Sequence, residues 1–201
     1  MEVKYFDRWS PNDINIQDKG LERYICLESK LLPHGSGKHS DKQFGKSNVS
    51  IVERLMNKLM RSGPGKGKIS GRLIRGSKGC GKKHKAYGIV REAFEKIENE
   101  TGENPIQILV NAIQNVAPRE ETTKISYGGI TYHVAVDSAP QRRLDIALKN
   151  LVDGAYSSSF RSKQTMPDAL AEELITASKG DMDSFSVSKK EDIERIAKGA
   201  R

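Results

Sequence analysis

The chain has 201 residues, of which 30% are charged and 36% hydrophobic, and its net charge is +8. This length suits one domain of ordinary size with extensions, and no apolar run approaches the roughly 18 residues of a transmembrane helix. Cys26 and Cys80 form neither a CxxC pair nor a disulfide framework, and the first residues lack the basic and apolar regions of a signal peptide. We therefore expect a soluble protein of the reducing cytosol.

Positive charge is concentrated in residues 34–91, which hold 15 lysines and arginines against only Asp41 and Glu53, a local net charge of +13. Such a segment repels itself unless a polyanion screens it. The phosphate backbone of a nucleic acid is the commonest such polyanion, because each neutralised phosphate also releases condensed counterions. An anionic membrane is the second candidate, and the absence of any apolar or targeting segment weakens it.

Composition and pattern divide the chain into two parts. Residues 1–47 are predicted to form an irregular amino-terminal extension with short pieces of structure. Residues 48–201 are predicted to form a helical domain that carries a basic loop, residues 63–85, and a β-hairpin, residues 121–136.

The first predicted helix follows a serine placed to cap it. Ser50 and Glu53 have the spacing of a capping box, in which the serine oxygen accepts an early backbone N–H and the glutamate reaches back. Gly63 and Pro64 are typical of the end of a helix. One apolar stripe lies between these signals and contains Ile51, Val52, Leu55, Met56, Leu59 and Met60.

The glycine-rich basic loop that follows resembles a nucleotide-binding motif in part. Residues 76–83 fit G-x-x-x-x-G-K, but Lys83 stands where a P-loop needs serine or threonine to ligate Mg²⁺. No apolar strand ending in aspartate follows, and no βαβ alternation would place the loop on a parallel sheet. We interpret the segment as a cationic loop whose glycines let the backbone approach phosphates.

Two further helices are predicted with clear boundaries. An apolar stripe from Ile89 to Ile97 marks one, which ends near Gly102. Asn104 and Pro105 then supply an N-cap and a proline at the first helical position of the next. Each is expected to bury one face in a common core.

Two alternating segments around a glycine turn predict a β-hairpin. The strands are residues 122–126 and 130–136, and the second strand places its apolar residues on one face. Because a two-stranded ribbon is marginal in water, we expect it to pack on the helices at its base or to be held at its tip by a partner. The candidate RNA contacts at the tip are Lys124, Tyr127, Gly128 and Gly129, with Tyr127 as a simple turn residue the alternative.

The fourth predicted helix begins at Pro140 with two arginines. Arg142 and Arg143 lie at the amino-terminal end, where the helix dipole disfavours cations. Their position is explained if they bind phosphate, and a solvated pair is the alternative.

Two more helices complete the predicted core. The fifth begins at Thr165 and closes at Gly180, and the sixth begins with a second capping box from Ser188 to Glu191.

Catalytic and metal-binding patterns are weak. Cys26, His34 and His39 are scattered and lack a fourth ligand, so they do not predict a zinc site. No serine–histidine–aspartate or cysteine–histidine arrangement can be placed. We expect a protein that is not an enzyme and that uses no cofactor.

Several short segments in this order resemble small-subunit ribosomal protein seven, in its archaeal–eukaryotic branch. They are IVERLMNKLM at 51–60, GKKHKA at 81–86, NPIQ at 104–107, APREETT at 117–123 and PQRR at 140–143. The resemblance covers about the whole chain and is strongest from Val49 onward. The insert from Gly63 to Gly79 is absent from the compact bacterial form, so its basic residues rest on charge alone.

The resemblance implies a mainly α fold, a six-helix bundle with one protruding β-hairpin and an irregular amino-terminal extension. It implies a structural constituent of the small subunit that binds the 3′ major domain of the rRNA and nucleates assembly of the head. It also implies proximity to the mRNA exit channel and the E-site tRNA, and contacts with neighbouring proteins of head and platform. By position, the family's rRNA-contacting roles fall to Lys82, Lys83, Lys85, Arg142 and Arg143.

A free-standing regulatory RNA-binding protein, including one that binds its own mRNA, is the alternative function. The absence of a dimer signature and of a recognition helix disfavours DNA as the partner. Besides the residues already named at the hairpin tip and after Pro140, the predicted RNA contacts are Lys58, Arg61, Lys66, Lys68, Arg72, Arg75, Lys78, Lys82, Lys83 and Lys85.

Overall fold

The computed structural model describes residues 3–12, 14–30, 33–61 and 81–201, and the backbone of two short strands between them. The helices of this part are α1 (Lys19–Glu22), α2 (Ile51–Leu59), α3 (Lys83–Thr101), α4 (Pro105–Val116), α5 (Pro140–Ser159), α6 (Met166–Lys179) and α7 (Phe185–Gly199). The strands are β1 (Lys68–Ile69), β2 (Arg72–Leu73), β3 (Glu120–Tyr127) and β4 (Ile130–Asp137). Two 3₁₀ turns, Lys38–Ser40 and Gly45–Asn48, precede α2.

The predicted fold class is confirmed. Helices α2 to α7 correspond to the six predicted helices, and β3 and β4 form the predicted antiparallel hairpin. The four-residue helix α1 and the pairing of β1 with β2 were not predicted, because both are too short to show a period in the sequence. In the described part of the chain, no helix has the length and apolar character that crossing a membrane requires.

Helix α6 lies at the centre of the helical core. It packs against α3, α4, α5 and α7. Small side chains let these neighbours approach closely, since Ala169, Ala171 and Ala177 alternate with the fully buried Leu170 and Leu174. The remaining helices close around it with their apolar stripes inward, as the spacing of those stripes predicts.

Several predicted helix boundaries are confirmed by their caps. Asn104 accepts a hydrogen bond from the backbone N–H of Ile106 at 3.0 Å, and Thr165 forms a capping box with Asp168. Gly102 and Gly180 adopt φ of 69° and 73° at the ends of α3 and α6, a region that favours glycine. The predicted end of the first helix at Gly63 lies outside the described residues.

The capping box predicted at Ser50 is wrong. Ser50 is the N-cap of α2, but its side chain makes no capping hydrogen bond; its hydroxyl lies 2.7 Å from the Tyr5 hydroxyl instead. Glu53, which was expected to reach back, accepts from Gly35 and Lys83. Partners from distant parts of the chain have replaced the local pair.

The capping box predicted at Ser188 is also wrong. Helix α7 begins earlier, at Phe185, and Ser184 caps it by accepting from the N–H of Val187 at 3.3 Å. The buried carboxylate of Glu173 on α6 accepts from the Ser184 hydroxyl at 2.8 Å and from the N–H of Ser186 at 2.9 Å. A tertiary contact with α6 therefore fixes the start of α7.

The amino-terminal segment packs into the core. Tyr5 and Trp9 are 3% and 4% exposed and belong to the same apolar cluster as the helices. The rings of Phe6 and Trp9 lie edge-on to Phe94 of α3, at centroid distances of 5.9 and 5.7 Å. The domain boundary near residue 47 stays a prediction.

The hairpin is longer than predicted by about two residues at its base. Its register runs from Glu120 opposite Asp137 to Tyr127 opposite Ile130, so Tyr127 ends a strand and does not belong to the turn. Gly128 and Gly129 form the turn with φ of 58° and 82°, as a two-residue hairpin loop requires. Helix α7 packs against both strands, which anchors the ribbon.

We expect Tyr5→Phe to lower the free energy of unfolding by about 1–3 kcal/mol, because buried polar partners lose their hydrogen bond. The Tyr5 hydroxyl lies 3.0 and 2.9 Å from the carbonyl oxygens of Leu27 and Glu28, and it also meets Ser50. Urea unfolding at pH 7 measures the loss. Tyr127→Phe is the matched control, since that side chain is 81% exposed and should change nothing. Equal stabilities of the two variants would refute the role of Tyr5.

The same pair of variants tests the pH dependence. Burial raises the pKa of Tyr5 from 10.0 to about 12, against the opposing hydrogen bond with Ser50. The stability that Tyr5 contributes is therefore complete below pH 10 and is lost as the pH rises through about 12. Between those values Tyr5→Phe should lose less stability than the wild type and the Tyr127→Phe control.

Candidate RNA-binding surface

The predicted RNA contacts fall into three places in the fold. Lys58, Arg61, Lys82, Lys83 and Lys85 lie where α2 ends and α3 begins. Arg142 and Arg143 lie in the first turn of α5, and the remaining described contacts lie at the hairpin tip. Lys66, Arg75 and Lys78 lie outside the described residues, as do the side chains of Lys68 and Arg72.

A single carboxylate, Asp145 of α5, holds together three cations near the end of α2. It pairs with Lys46, and it accepts from Arg54 Nη2 at 3.4 Å and Lys58 Nζ at 3.3 Å. Burial alone would raise the pKa of Asp145, but the hydrogen bond from Lys46 and the charges of Lys58, Lys46 and Arg54 hold it below its ordinary value. The group carries three positive charges and one negative charge, so a net positive charge is partly buried here.

Lys58 experiences this excess directly. Burial lowers the pKa of Lys58, and the positive charges of Lys46 and Arg54 lower it further, although Asp145 opposes both effects. The Lys58 ammonium is therefore less stable here than in water. An additional anion beside it would favour the charged form of Lys58 and so oppose both effects.

A second carboxylate, Glu53 of α2, ties the amino-terminal segment and α3 together. Its side chain is 4% exposed, and its Oε1 accepts from Lys83 Nζ at 2.7 Å and from the N–H of Gly35 at 2.7 Å. Burial alone would raise the pKa of Glu53, but the hydrogen bonds from Lys83 and Gly35 hold it below its ordinary value. Lys83 is thus held in place by the protein itself.

These two carboxylates lie in the wall of a pocket of about 520 Å³. The pocket opens between the segment that contains the 3₁₀ turns, helix α2 and the start of α3. Among the residues that the structure describes, its charged lining consists of Lys46, Arg54, Lys58, Arg61 and Lys83 with the carboxylates of Glu53 and Asp145. Five cations against two carboxylates leave an excess of three positive charges.

Lys82 and Lys85 are exposed beside this pocket, at the start of α3. The first turn of α3 contains no acidic residue, so the positive end of its dipole meets further positive charge. Backbone N–H groups, a helix dipole and exposed ammonium groups together favour an anion at this end of the helix.

The two arginines of α5 have different environments. Arg143 is 10% exposed; it donates to Asp18 Oδ2 at 2.8 Å and to the carbonyl oxygen of Pro118 at 3.2 Å. Arg142 is 61% exposed and donates to Glu121 at 2.5 Å. Arg143 thus ties α5 to the amino-terminal segment, while Arg142 remains accessible from solvent. The phosphate contacts of both stay predictions.

The hairpin has two unlike faces. Residues directly opposite in the register share a face. The apolar face contains Ile125, Tyr127, Ile130, Tyr132 and Val134, all of them between 38% and 81% exposed. The opposite face contains Lys124, Ser126, Thr131 and His133. Lys124 and Tyr127 therefore point away from each other and cannot contact the same group of one ligand.

The sequence did not single out Lys46, Arg54 or Asp145. Arg54 carried a signal, because it lies within the apolar stripe of α2 and a charge on a buried face needs a buried partner. Which carboxylate supplies that partner could not be read from the sequence, since Asp145 is 91 residues away.

Cys26, His34 and His39, which were considered for zinc, all lie within the described residues. No group of three or more His, Cys, Asp and Glu side chains lies close enough together there to hold a metal ion. His34, one of the residues considered for zinc, lies with its Nδ1 3.2 Å from the Ser36 hydroxyl.

A family model and a curated relative both match the chain, and both belong to the same protein family. The model of the family described as ribosomal protein S7p/S5e matches residues 21–201. Over 200 residues the chain is 48% identical to the small ribosomal subunit protein uS7 of Methanosphaera stadtmanae, and the match covers 100% of both chains.

We expect Glu53→Gln to destabilise the protein by about 1–3 kcal/mol at pH 7, because it leaves the Lys83 ammonium without its buried partner. The pKa of Glu53 lies below its ordinary value of 4.5. Its contribution is therefore present above pH 4.5 and is lost as the pH falls through the lower pKa of the folded state. Urea unfolding at pH 7 and at about pH 3 should show the difference between variant and wild type shrinking in acid.

Glu95→Gln is the control for this experiment. Glu95 is 31% exposed and pairs on the surface with Arg8 and Arg91, so its replacement should cost about 0–1 kcal/mol. A Glu53→Gln effect that is the same size at both pH values would show that the ion pair is not its cause.

Proposed function

Because the chain belongs to the ribosomal protein S7p/S5e family, we propose that it is a structural protein of the small ribosomal subunit that binds the 3′ major domain of the small-subunit rRNA. In this role it nucleates assembly of the subunit head. The observation that carries the proposal is the match over 100% of its length to a small-subunit protein.

The basic surface supports this function. An excess of positive charge is held rigidly at the junction of α2, α3 and α5 by Glu53 and Asp145, with Lys82, Lys85 and Arg61 exposed around it. Fixed cations bind a phosphate backbone without first losing side-chain freedom, and they set the orientation of the protein on the RNA. Such a surface suits a protein that stays in one place in a ribonucleoprotein particle.

The ribbon supports a second part of the proposal, in which the hairpin lies near the E-site tRNA and the mRNA exit channel. Its outer half contributes little to the core, since Tyr127 and Ile130 are 81% and 59% exposed. Helix α7 packs against the strands, and its Glu194 accepts from the N–H of Arg119 beside the base of the hairpin at 2.9 Å. The neighbouring proteins of head and platform are the proposed protein partners, with the carboxy-terminal helices facing the platform.

A sucrose gradient of native lysate tests the function against the regulatory alternative. Steady co-sedimentation of the protein with small subunits at moderate salt supports a structural role. A protein that stays at the top of the gradient, bound to free mRNA or unbound, would overturn it.

We expect removal of residues 126–130, with the strands rejoined by a short turn, to leave the thermal unfolding of the protein nearly unchanged, because the removed side chains are mostly exposed. The variant should still enter small subunits, since the helical core and the basic surface remain. Reconstituted subunits should show altered frame maintenance or altered retention of E-site tRNA.

Tyr127→Ala is the milder companion variant, with the turn glycines intact. It should share the direction of the translational effect while it assembles normally. If the deletion unfolded the protein or abolished rRNA binding, the ribbon would be structural and its proposed place beside tRNA and mRNA would be refuted.

A further inference from the structure

The pocket between α2, α3 and the 3₁₀ turns is large enough to hold a small ligand. Its volume of about 520 Å³ falls within the range of roughly 300–1,000 Å³ typical of ligand pockets. If these charges served only to stabilise the fold, equal numbers of cations and carboxylates would be expected. Among the described lining residues five cations face two carboxylates, so the pocket favours an anionic ligand.

Two buried polar atoms in the wall point to the same need. Arg54 is 2% exposed, and its Nε has no hydrogen-bond partner among the described residues. The same holds for Nδ1 of His39, which also lines the pocket. A buried donor without a partner is costly, so such atoms mark a place where a ligand or water completes the site.

The segment between α2 and α3 cannot supply the missing negative charge. Arg61 and Gly81, which border the basic stretch in the sequence, both line the pocket. That stretch, residues 62–80, contains five lysines and arginines and no acidic residue. This stretch therefore does not supply an anionic occupant.

We propose that this pocket binds one unpaired nucleotide of RNA, with its phosphate beside Lys58 and Lys46 and its base between α2 and the 3₁₀ turns. This inference rests on the proposed RNA-binding function and adds how the RNA is held. The pocket also offers the Asn57 amide for a base edge and the Met60 and Val49 side chains for a base face. A free phosphate would not need the Asn57, Met60 and Val49 side chains.

Double-stranded RNA cannot place a base and its phosphate in this pocket. Paired bases are stacked inside the duplex, so a duplex could present only its backbone to the mouth of a concave pocket. Unpaired nucleotides of loops and bulges can instead turn outward and offer base and phosphate together. The pocket is thus expected to select RNA that contains an unpaired nucleotide.

The first experiment uses the full-length protein with ¹³C-methyl-labelled methionine. A nucleoside 5′-monophosphate should shift the Met60 resonance and leave that of Met182, which is 58% exposed in the connection between α6 and α7, unchanged. The uncharged nucleoside and inorganic phosphate at equal ionic strength are the comparison probes, and each should act more weakly. If Met60 does not respond, or if phosphate alone acts as strongly as the nucleotide, the proposal is overturned.

The second experiment compares an RNA helix that has one bulged nucleotide with the same helix fully paired. The wild type should bind the bulged RNA about tenfold more tightly, because base and phosphate contacts add to the backbone contacts. Lys58→Gln and the pocket-filling Asn57→Trp should lose this preference. Lys85→Gln, which removes the same charge outside the pocket, should weaken both RNAs equally and keep the preference.

The outcomes separate this inference from the proposed function. Tight, salt-sensitive binding of both RNAs without a preference would overturn the nucleotide pocket and leave the RNA-binding function standing. Failure of the wild type to bind either RNA would overturn both. Because Lys58→Gln leaves Asp145 with Lys46 and Arg54 as partners, it should fold normally, which its thermal unfolding verifies.

Discussion

Electrostatic repulsion within the basic segment is the constraint on which the arrangement of this fold depends. Residues 34–91 carry a net charge of +13, yet part of this segment has to pack against α3 and α5. Two carboxylates make that possible. Glu53 fixes Lys83 and the backbone of Gly35, and Asp145 fixes Lys46, Arg54 and Lys58. Without them, like charges would meet in a partly buried region where water screens them poorly.

The compensation is incomplete, and this connects stability with binding. A protein made only for stability would match each buried cation with an anion or replace it with an apolar group. This chain instead leaves three positive charges in excess around one pocket and places exposed lysines beside it. Under the proposed function, the phosphates of the RNA offset this excess.

The amino-terminal segment contacts the same helices that carry the basic residues. Tyr5 and Trp9 are buried in the core. The Tyr5 hydroxyl forms a hydrogen bond with the hydroxyl of Ser50, the serine that was predicted to cap α2. Arg143, at the start of α5, is held by Asp18 of the same segment. The segment thus positions both the start of α2 and the start of α5. These contacts could not be read from the sequence, because Tyr5 and Asp18 lie 45 and 125 residues from Ser50 and Arg143.

What the sequence determined by itself is the set of elements with a local physical cause. Helical spacing, the N-cap at Asn104, the helix start at Thr165 and the terminal glycines Gly102 and Gly180 were all readable, because each acts within one turn of helix. The hairpin turn was readable because two adjacent glycines permit the positive φ that it needs.

Tertiary structure decided whatever depends on residues distant in the chain. Ser50 forms a hydrogen bond with Tyr5, and Glu53 accepts from Gly35 and Lys83, so neither takes part in the predicted capping box. Helix α7 begins where Glu173 of α6 accepts a hydrogen bond from the backbone of its first turn. The pocket was equally invisible, because its cations and the carboxylate of Asp145 meet across 87 to 99 residues of sequence. Local patterns report the energies of neighbouring residues, whereas a charged pocket arises only when packing brings distant charges into one place of low dielectric.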